Sequence, residues 1–188
     1  MAQPFQTPIR TDRLHLIPAT IEMLKSEQGD RQALSILLRA YVPGAWPPPL
    51  LDEETLSSFI LMIEEERDPH FTCWYWIRDD RSKGRRTLIG SGGIVSSPVS
   101  GDSIVLGYSV LEEYRCLGYA TEAVKGLIPG IFSLIGIEQI IATTYPDMIA
   151  SIRVLEKNGF MNAGEVARGE GIEEGTLLYL LKKPDILI

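Results

Sequence analysis

Six consecutive residues, Arg115-Cys116-Leu117-Gly118-Tyr119-Ala120, carry the clearest chemical signal in this chain. A glycine that can take a positive φ and an alanine that permits close backbone approach make a tight turn. The turn follows an apolar run at residues 104–111 that reads as a strand, and it precedes a helix expected to open at Thr121. First-turn N–H groups of a helix have no intrahelical acceptors and lie at the positive end of its dipole, so this turn is suited to a diphosphate. Dinucleotide-binding folds use the same device, and Glu138 does fall twenty residues after Gly118. Glu138 precedes its strand instead of ending it, however, and the turn holds one Gly and an Arg, so that reading fits poorly.

Two further segments accompany the turn. Residues 150–160 read Ala-Ser-Ile-Arg-Val-Leu-Glu-Lys-Asn-Gly-Phe, and near the start stands Thr11-Asp12-Arg13-Leu14. Taken in order with Arg-x-x-Gly-x-Ala, they resemble the GNAT N-acetyltransferase superfamily, in the branch that holds the ribosomal-protein N-terminal acetyltransferases. The resemblance implies an α/β fold: a mixed, mostly antiparallel sheet of six to seven strands, helices on both faces, and a splayed central pair of parallel strands. It implies acetyl-CoA as the acyl donor, held between strands 104–111 and 139–144. Val110 and Leu111 would align the carrier and polarise its carbonyl. The amides of Leu117, Gly118, Tyr119, Ala120 and Thr121 would cradle the diphosphate, and Arg115 would add charge to it. Arg115 could instead pair with Glu112 or Glu113 as an ordinary surface residue.

The last-helix segment departs from the family pattern in two places. A Tyr often stands four residues before the Gly, where it protonates the departing thiolate; here that position is Leu155. Ser151 lies in the neighbouring space and would donate to the sulfur directly or through water, or would simply bond back to a helical carbonyl. At Met148 an Asn is usual, so one carrier contact falls to Asp147, with Lys157 adding charge farther along the helix. No dedicated base stands out. Glu112 and Glu113 after the central strand are the leading choices, with Glu53 and Glu54 at a helix start behind them. Deprotonating a lysine-type amine at neutral pH costs roughly 4–5 kcal/mol and an α-amino group only about 1 kcal/mol, so weak basic assistance suits the α-amino group of a peptide or a small amine. The alternative function is a sensor module that binds acyl-CoA without turnover. A scaffold using an exposed Trp46 in the proline loop is a third.

Composition narrows the field. The chain has 188 residues, 45% of them hydrophobic, and fits one domain over 1–188. A net charge of −7 argues against a nucleic-acid surface. No apolar stretch is long enough for a bilayer and no signal-peptide pattern opens the chain, so a soluble cytoplasmic protein without a membrane partner is expected, and the resemblance implies a homodimer paired through edge strands. Cys73 and Cys116 offer neither a disulfide framework nor a metal pair, and His15 and His70 lack partners at metal or triad spacing. No metal is expected.

These groups need positioning elements. A strand at 14–17 closes on Pro18, and residues 20–41 read as helix interrupted at Gly29-Asp30. Pro43 to Pro49 must be a stiff loop, after which Asp52 caps a helix running to about Arg67. Strands follow at 71–78 and 87–95 around a polar turn. The helix after the phosphate turn contains Pro129-Gly130, where an irregularity is expected. A strand at 139–144, a last helix capped by Asp147 and stopped at Asn158-Gly159, and a hairpin of 161–168 with 175–181 complete the order.

Overall fold

The computed structural model describes residues 7–49, 51–80, 84–166 and 173–184. Thirteen elements and one 3-10 turn follow in order: β1 (Ile9–Arg10), β2 (Leu14–Pro18), α1 (Ile21–Glu27), α2 (Arg31–Leu38), α3 (Glu53–Glu64), β3 (Thr72–Asp80), β4 (Arg85–Ser96), β5 (Ser103–Val110), the 3-10 turn (Glu112–Tyr114), α4 (Tyr119–Ile131), β6 (Gln139–Thr144), α5 (Ile149–Lys157), β7 (Met161–Glu165) and β8 (Leu177–Lys182). The first three helices start where side chains cap them. Thr20, Asp30 and Asp52 accept from the amides of Met23, Ala33 and Thr55 at 3.2, 2.9 and 2.8 Å. Gly29-Asp30 divides α1 from α2, as the interruption in the pattern predicts.

The strands form one eight-stranded sheet in the order β1-β2-β3-β4-β5-β6-β8-β7. Every pairing is antiparallel except β5 with β6. The two-residue β1, which pairs with β2, takes the sheet beyond the expected six to seven strands. Side chains alternate across the sheet and so build two cores. On one face Leu14, Leu16, Trp74, Trp76, Leu106 and Ile140 pack under α4 and α5. On the other, Tyr75, Ile77 and Leu88 pack under α1, α2 and α3.

Trp76 is fully buried and lies across β4, which only glycines accommodate. A Cβ on Gly92 would stand 2.7 Å from the Trp76 ring, and one on Gly90 would stand 2.7 Å from the Ser109 carbonyl oxygen. The second clash is with backbone, which cannot rotate away. Gly90→Ala is therefore expected to lower stability by about 1–3 kcal/mol, seen as a reduced denaturant midpoint at unchanged m-value.

Several expectations change. The phosphate-turn helix begins at Tyr119, two residues before Thr121, because Gly118 turns left-handed and ends the loop there. Pro129 sits inside α4 without breaking it; the helix ends two residues later, at Ile131. Asp147 is not the cap of α5. That place is taken by Met148, and no side chain bonds to the helix start. Trp46 is buried at 5% exposure, which removes the exposed aromatic of the scaffold reading. The second-to-last strand stops at Glu165, and Arg168, expected at its end, lies outside the described residues.

Candidate active site

The chain leaves β5 through a turn built almost wholly from backbone. Tyr114 N–H donates to Leu111 O at 2.9 Å and Arg115 N–H to Glu112 O at 3.1 Å. Arg115 Nε then reaches back to Val110 O at 3.2 Å, and no ion pair with Glu112 or Glu113 forms. Cys116 and Gly118 both take positive φ, 58° and 83°, which folds the loop tightly onto the start of α4. The first intrahelical bond runs from Glu122 N–H to Gly118 O at 3.0 Å, and no side chain caps the helix. The amides of Tyr119, Ala120 and Thr121 consequently face outward without a helical acceptor. Such a surface fits a diphosphate.

Arg13 holds this turn from outside. Its Nη1 donates to Leu117 O at 3.0 Å, its Nε to Glu122 Oε2 at 2.6 Å, and its guanidinium covers the Tyr119 ring at 4.4 Å. Glu122 also accepts from Arg13 N–H at 2.7 Å and Thr11 Oγ1–H at 2.6 Å. Partial burial pushes the Glu122 carboxyl up, but the bonds from Thr11 and Arg13 outweigh it and hold the group below its ordinary value. Thr11 and Arg13 belong to the opening Thr-Asp-Arg-Leu segment, yet their partner lies 109 positions away from Arg13, beyond the reach of local pattern.

The second part of the site is a gap in the sheet. β5 and β6 pair only through Ser103–Val105 and Gln139–Ile141, then diverge. Leu111 N–H donates to Ile89 O at 2.9 Å, which makes the opposed Gly90 and Val110 a non-hydrogen-bonded pair of the β4–β5 ladder. Val110 N–H must then point toward the gap, whereas the Leu111 amide is already used. Of the two expected carbonyl-polarising amides, Val110 alone faces the cleft. Beside it, Tyr108 stacks against Trp76 at 6.3 Å between ring centroids and places its hydroxyl 3.0 Å from Ser151 Oγ. Burial pushes the Tyr108 phenol up to about 12, so it stays protonated at neutral pH. A sequence signal existed for Tyr108: in the β5 alternation Ile104, Leu106, Tyr108, Val110 it is the one residue with a polar tip.

The third part is an apolar cavity of about 280 Å³ on the opposite face of β3, β4 and β5, closed by Leu24 and Phe59 from α1 and α3. Gly107 and Ser109 form its end at β5, beside Val110. Pro49 O accepts from the Ser109 hydroxyl, which brings the proline loop over that end. At the other end stands Glu27, bonded by Tyr75 Oη–H and by Trp46 Nε1–H. The sequence reading missed Glu27, which looks like any acidic residue on a short helix.

A profile of the Acetyltransferase (GNAT) domain matches residues 20–161, most of the chain. The chain belongs to the GNAT acetyltransferase family. It is 26% identical over 155 residues to the uncharacterized N-acetyltransferase YjdG of Bacillus subtilis, covering 81% of this chain and 89% of that protein. Among solved structures, RimL, a ribosomal L7/L12 α-N-protein acetyltransferase in complex with coenzyme A, superposes with a TM-score of 0.61 at 14% identity, covering 94% of this chain and 98% of that one. Mycobacterium smegmatis RimJ, in complex with CoA-disulfide, gives 0.58 at 19% identity, over 94% and 86%. At these identities the structures establish a shared fold.

Within this GNAT domain the remaining sequence-predicted residues fall at different distances from the cleft. Ser151 meets Tyr108 as described, while Leu155 is fully buried in the core between α5 and the sheet. Glu112 and Glu113 are exposed on the 3-10 turn, and Glu53 and Glu54 are exposed at the start of α3; none of the four lines the apolar cavity. Asp147 and Lys157 are exposed at the two ends of α5. Asn158, next to Lys157, donates to Thr121 O at 3.3 Å and so ties α5 to the first turn of α4. His70 does meet a serine and an aspartate: its Nδ1 lies 2.9 Å from Ser96 Oγ, but that hydroxyl donates to Asp68 at 2.6 Å, which makes a clamp at the strand entry and not an activated nucleophile. No helix of the described residues is long and apolar enough to cross a membrane.

Cys116 is exposed in the turn before α4. Complete alkylation with a bulky reagent is expected to abolish acetyl-CoA binding in calorimetry, because the adduct would cover the amides that follow it. Unchanged affinity would remove Cys116 from the ligand surface.

Proposed function

We propose that this protein is an acetyl-CoA-dependent N-acetyltransferase that moves the acetyl group directly to a primary amine. One observation carries the reading. The uncapped first turn of α4 and the gap-facing Val110 amide lie at the two ends of one short loop, with the Tyr108–Ser151 hydroxyl pair beside the gap. Arg115 and the amides of Leu117, Gly118, Tyr119, Ala120 and Thr121 would hold the diphosphate, with Asp147 and Lys157 at the rim. Acetyl-CoA bound there supplies an activated acetyl thioester.

The chain's own groups do the rest. Val110 N–H stabilises negative charge where the carbonyl oxygen would sit. The amine nitrogen forms the new C–N bond as the C–S bond breaks, so the sulfur needs a proton and the amine must lose one. Tyr108, with Ser151 as its hydrogen-bond partner, keeps a proton available to the sulfur. For the amine, Glu112 and Glu113 stay exposed on their turn and receive the proton through solvent. That weak assistance favours acceptors with a low pKa, such as an α-amino group.

The test incubates the purified protein with acetyl-CoA and a panel of α-amino and lysine-type amines, following free thiol and product mass. Thiol release with acetylated α-amines is expected. Tight binding of acetyl-CoA with no thiol release over every amine would instead make the protein a sensor.

A further inference from the structure

We infer that Glu27 is the specificity determinant for a second positive charge on the acceptor, so that the substrate is an α-amine carrying a basic side chain. The inference rests on the N-acetyltransferase reading for which end of the acceptor reacts, and on the cavity alone for where its charge binds.

Among the described residues Glu27 is the one carboxylate lining a largely apolar cavity. Its two partners, Tyr75 and Trp46, are neutral donors, and among the described residues no cation pairs with it. The basic residues nearest in sequence bond to other groups: Lys25 pairs with Glu64 at 2.6 Å, and Arg31 Nη2 donates to Trp46 O at 3.4 Å. Cys73, also on the cavity wall, is held neutral by burial, with its thiol pushed up to about 12. Glu27 ends α1, where the helix dipole disfavours an anion. Burial raises its carboxyl, opposed by the two hydrogen bonds. A residue needed only to tie Trp46 to Tyr75 would do better as a neutral amide, since a desolvated charge without a counterion is costly. The missing counterion fits the place left open in the cavity.

The register sets the length of the ligand. Tyr75, Ser91 and Ser109 face one another across three adjacent strands. Two strand spacings of about 4.8 Å set the Ser109 backbone roughly 10 Å from the Tyr75 backbone, and Glu27 stands off the sheet beyond it at the Tyr75 hydroxyl. That is too far for Glu27 to take a proton from an amine reacting beside Val110, which needs contact at about 3 Å or one bridging water. It matches the separation between the α-amine of an arginine and a partner of its guanidinium. Phe59, Phe71 and Leu24 would enclose the methylene stem.

Argininamide and its neutral isostere citrullinamide give the comparison on the native chain. With acetyl-CoA, argininamide is expected to be preferred by roughly 10- to 100-fold in kcat/KM, mostly through KM. Glu27→Gln is expected to bring the two amides within about threefold, through a raised KM for argininamide and little change in its kcat, a split that a merely structural role would not produce. A ten-residue peptide beginning with Arg, set against one beginning with citrulline, decides whether the source is a free amino-acid derivative or a chain terminus. Calorimetry of both amides in the presence of CoA separates this inference from the activity. Tighter argininamide binding without any turnover would overturn the acetyltransferase reading and keep the charge site. Equal binding of the two amides by the native chain overturns the charge site whatever the turnover and whether or not Glu27→Gln folds.

Discussion

Tyr108→Phe is expected to lower kcat by about 10²-fold and to leave the acetyl-CoA dissociation constant unchanged. The substitution keeps the ring stacked on Trp76 and removes only the hydroxyl beside Ser151. General acids contribute roughly 10²–10⁴, and a thiol leaving group with an unperturbed pKa near 8.5 needs little help, so the lower end applies. Ser151→Ala distinguishes direct donation from relay. A loss equal to that of Tyr108→Phe means the proton passes through Ser151, and nearly full activity means Tyr108 reaches the sulfur itself. If Tyr108→Phe keeps full kcat, the hydroxyl pair has no part in the chemistry. The raised phenol pKa also has a consequence for stability: burial of the neutral ring is fully favourable below the ordinary tyrosine value of 10 and is lost as pH rises through about 12. Alkaline denaturation that sets in between those values, and later in Tyr108→Phe, would show it.

Gly118→Val is expected to weaken acetyl-CoA binding by roughly 10- to 100-fold. Gly118 has a φ of 83°, and a β-branched residue there is a genuine outlier costing at least about 1–2 kcal/mol. A Cβ would also lie 3.4 Å from Arg13 Nη2, so a branched side chain pushes on the guanidinium that holds Leu117. Both effects turn the first amides of α4 away from a common focus. Gly101→Ala is the control, since its Cβ would meet nothing within 4 Å and its φ is not positive. Calorimetric titration of both variants decides the point: equal affinities would mean that the turn does not hold the ligand.

The parts of this protein that could be read in advance are those whose cause is local. The cap at Asp52, the break at Gly29-Asp30 and the glycine turn at Gly118 follow from neighbouring residues competing for the same backbone groups. Long-range pairing decided the rest. Arg13 and Glu122 meet because β2 lies beside α4, and nothing in either segment announces the other. Trp46 stands in a run of prolines that looks like an exposed loop, but its ring closes over Tyr75 at 6.0 Å and its indole N–H goes to Glu27. Glu27 acquires its significance only from the cavity around it. Pro129 was expected to disturb α4, and the helix instead continues through it to Ile131.

The Arg13 clamp makes the ligand grip depend on two stretches of polypeptide that are far apart in sequence. Strand β2 is synthesised early, yet it can brace the turn only after more than a hundred further residues have emerged and α4 has packed beneath Thr11, with Gly126 leaving just enough room for that threonine's methyl group. A ligand seated on the turn would in return stabilise this long-range closure, because it binds only the closed form.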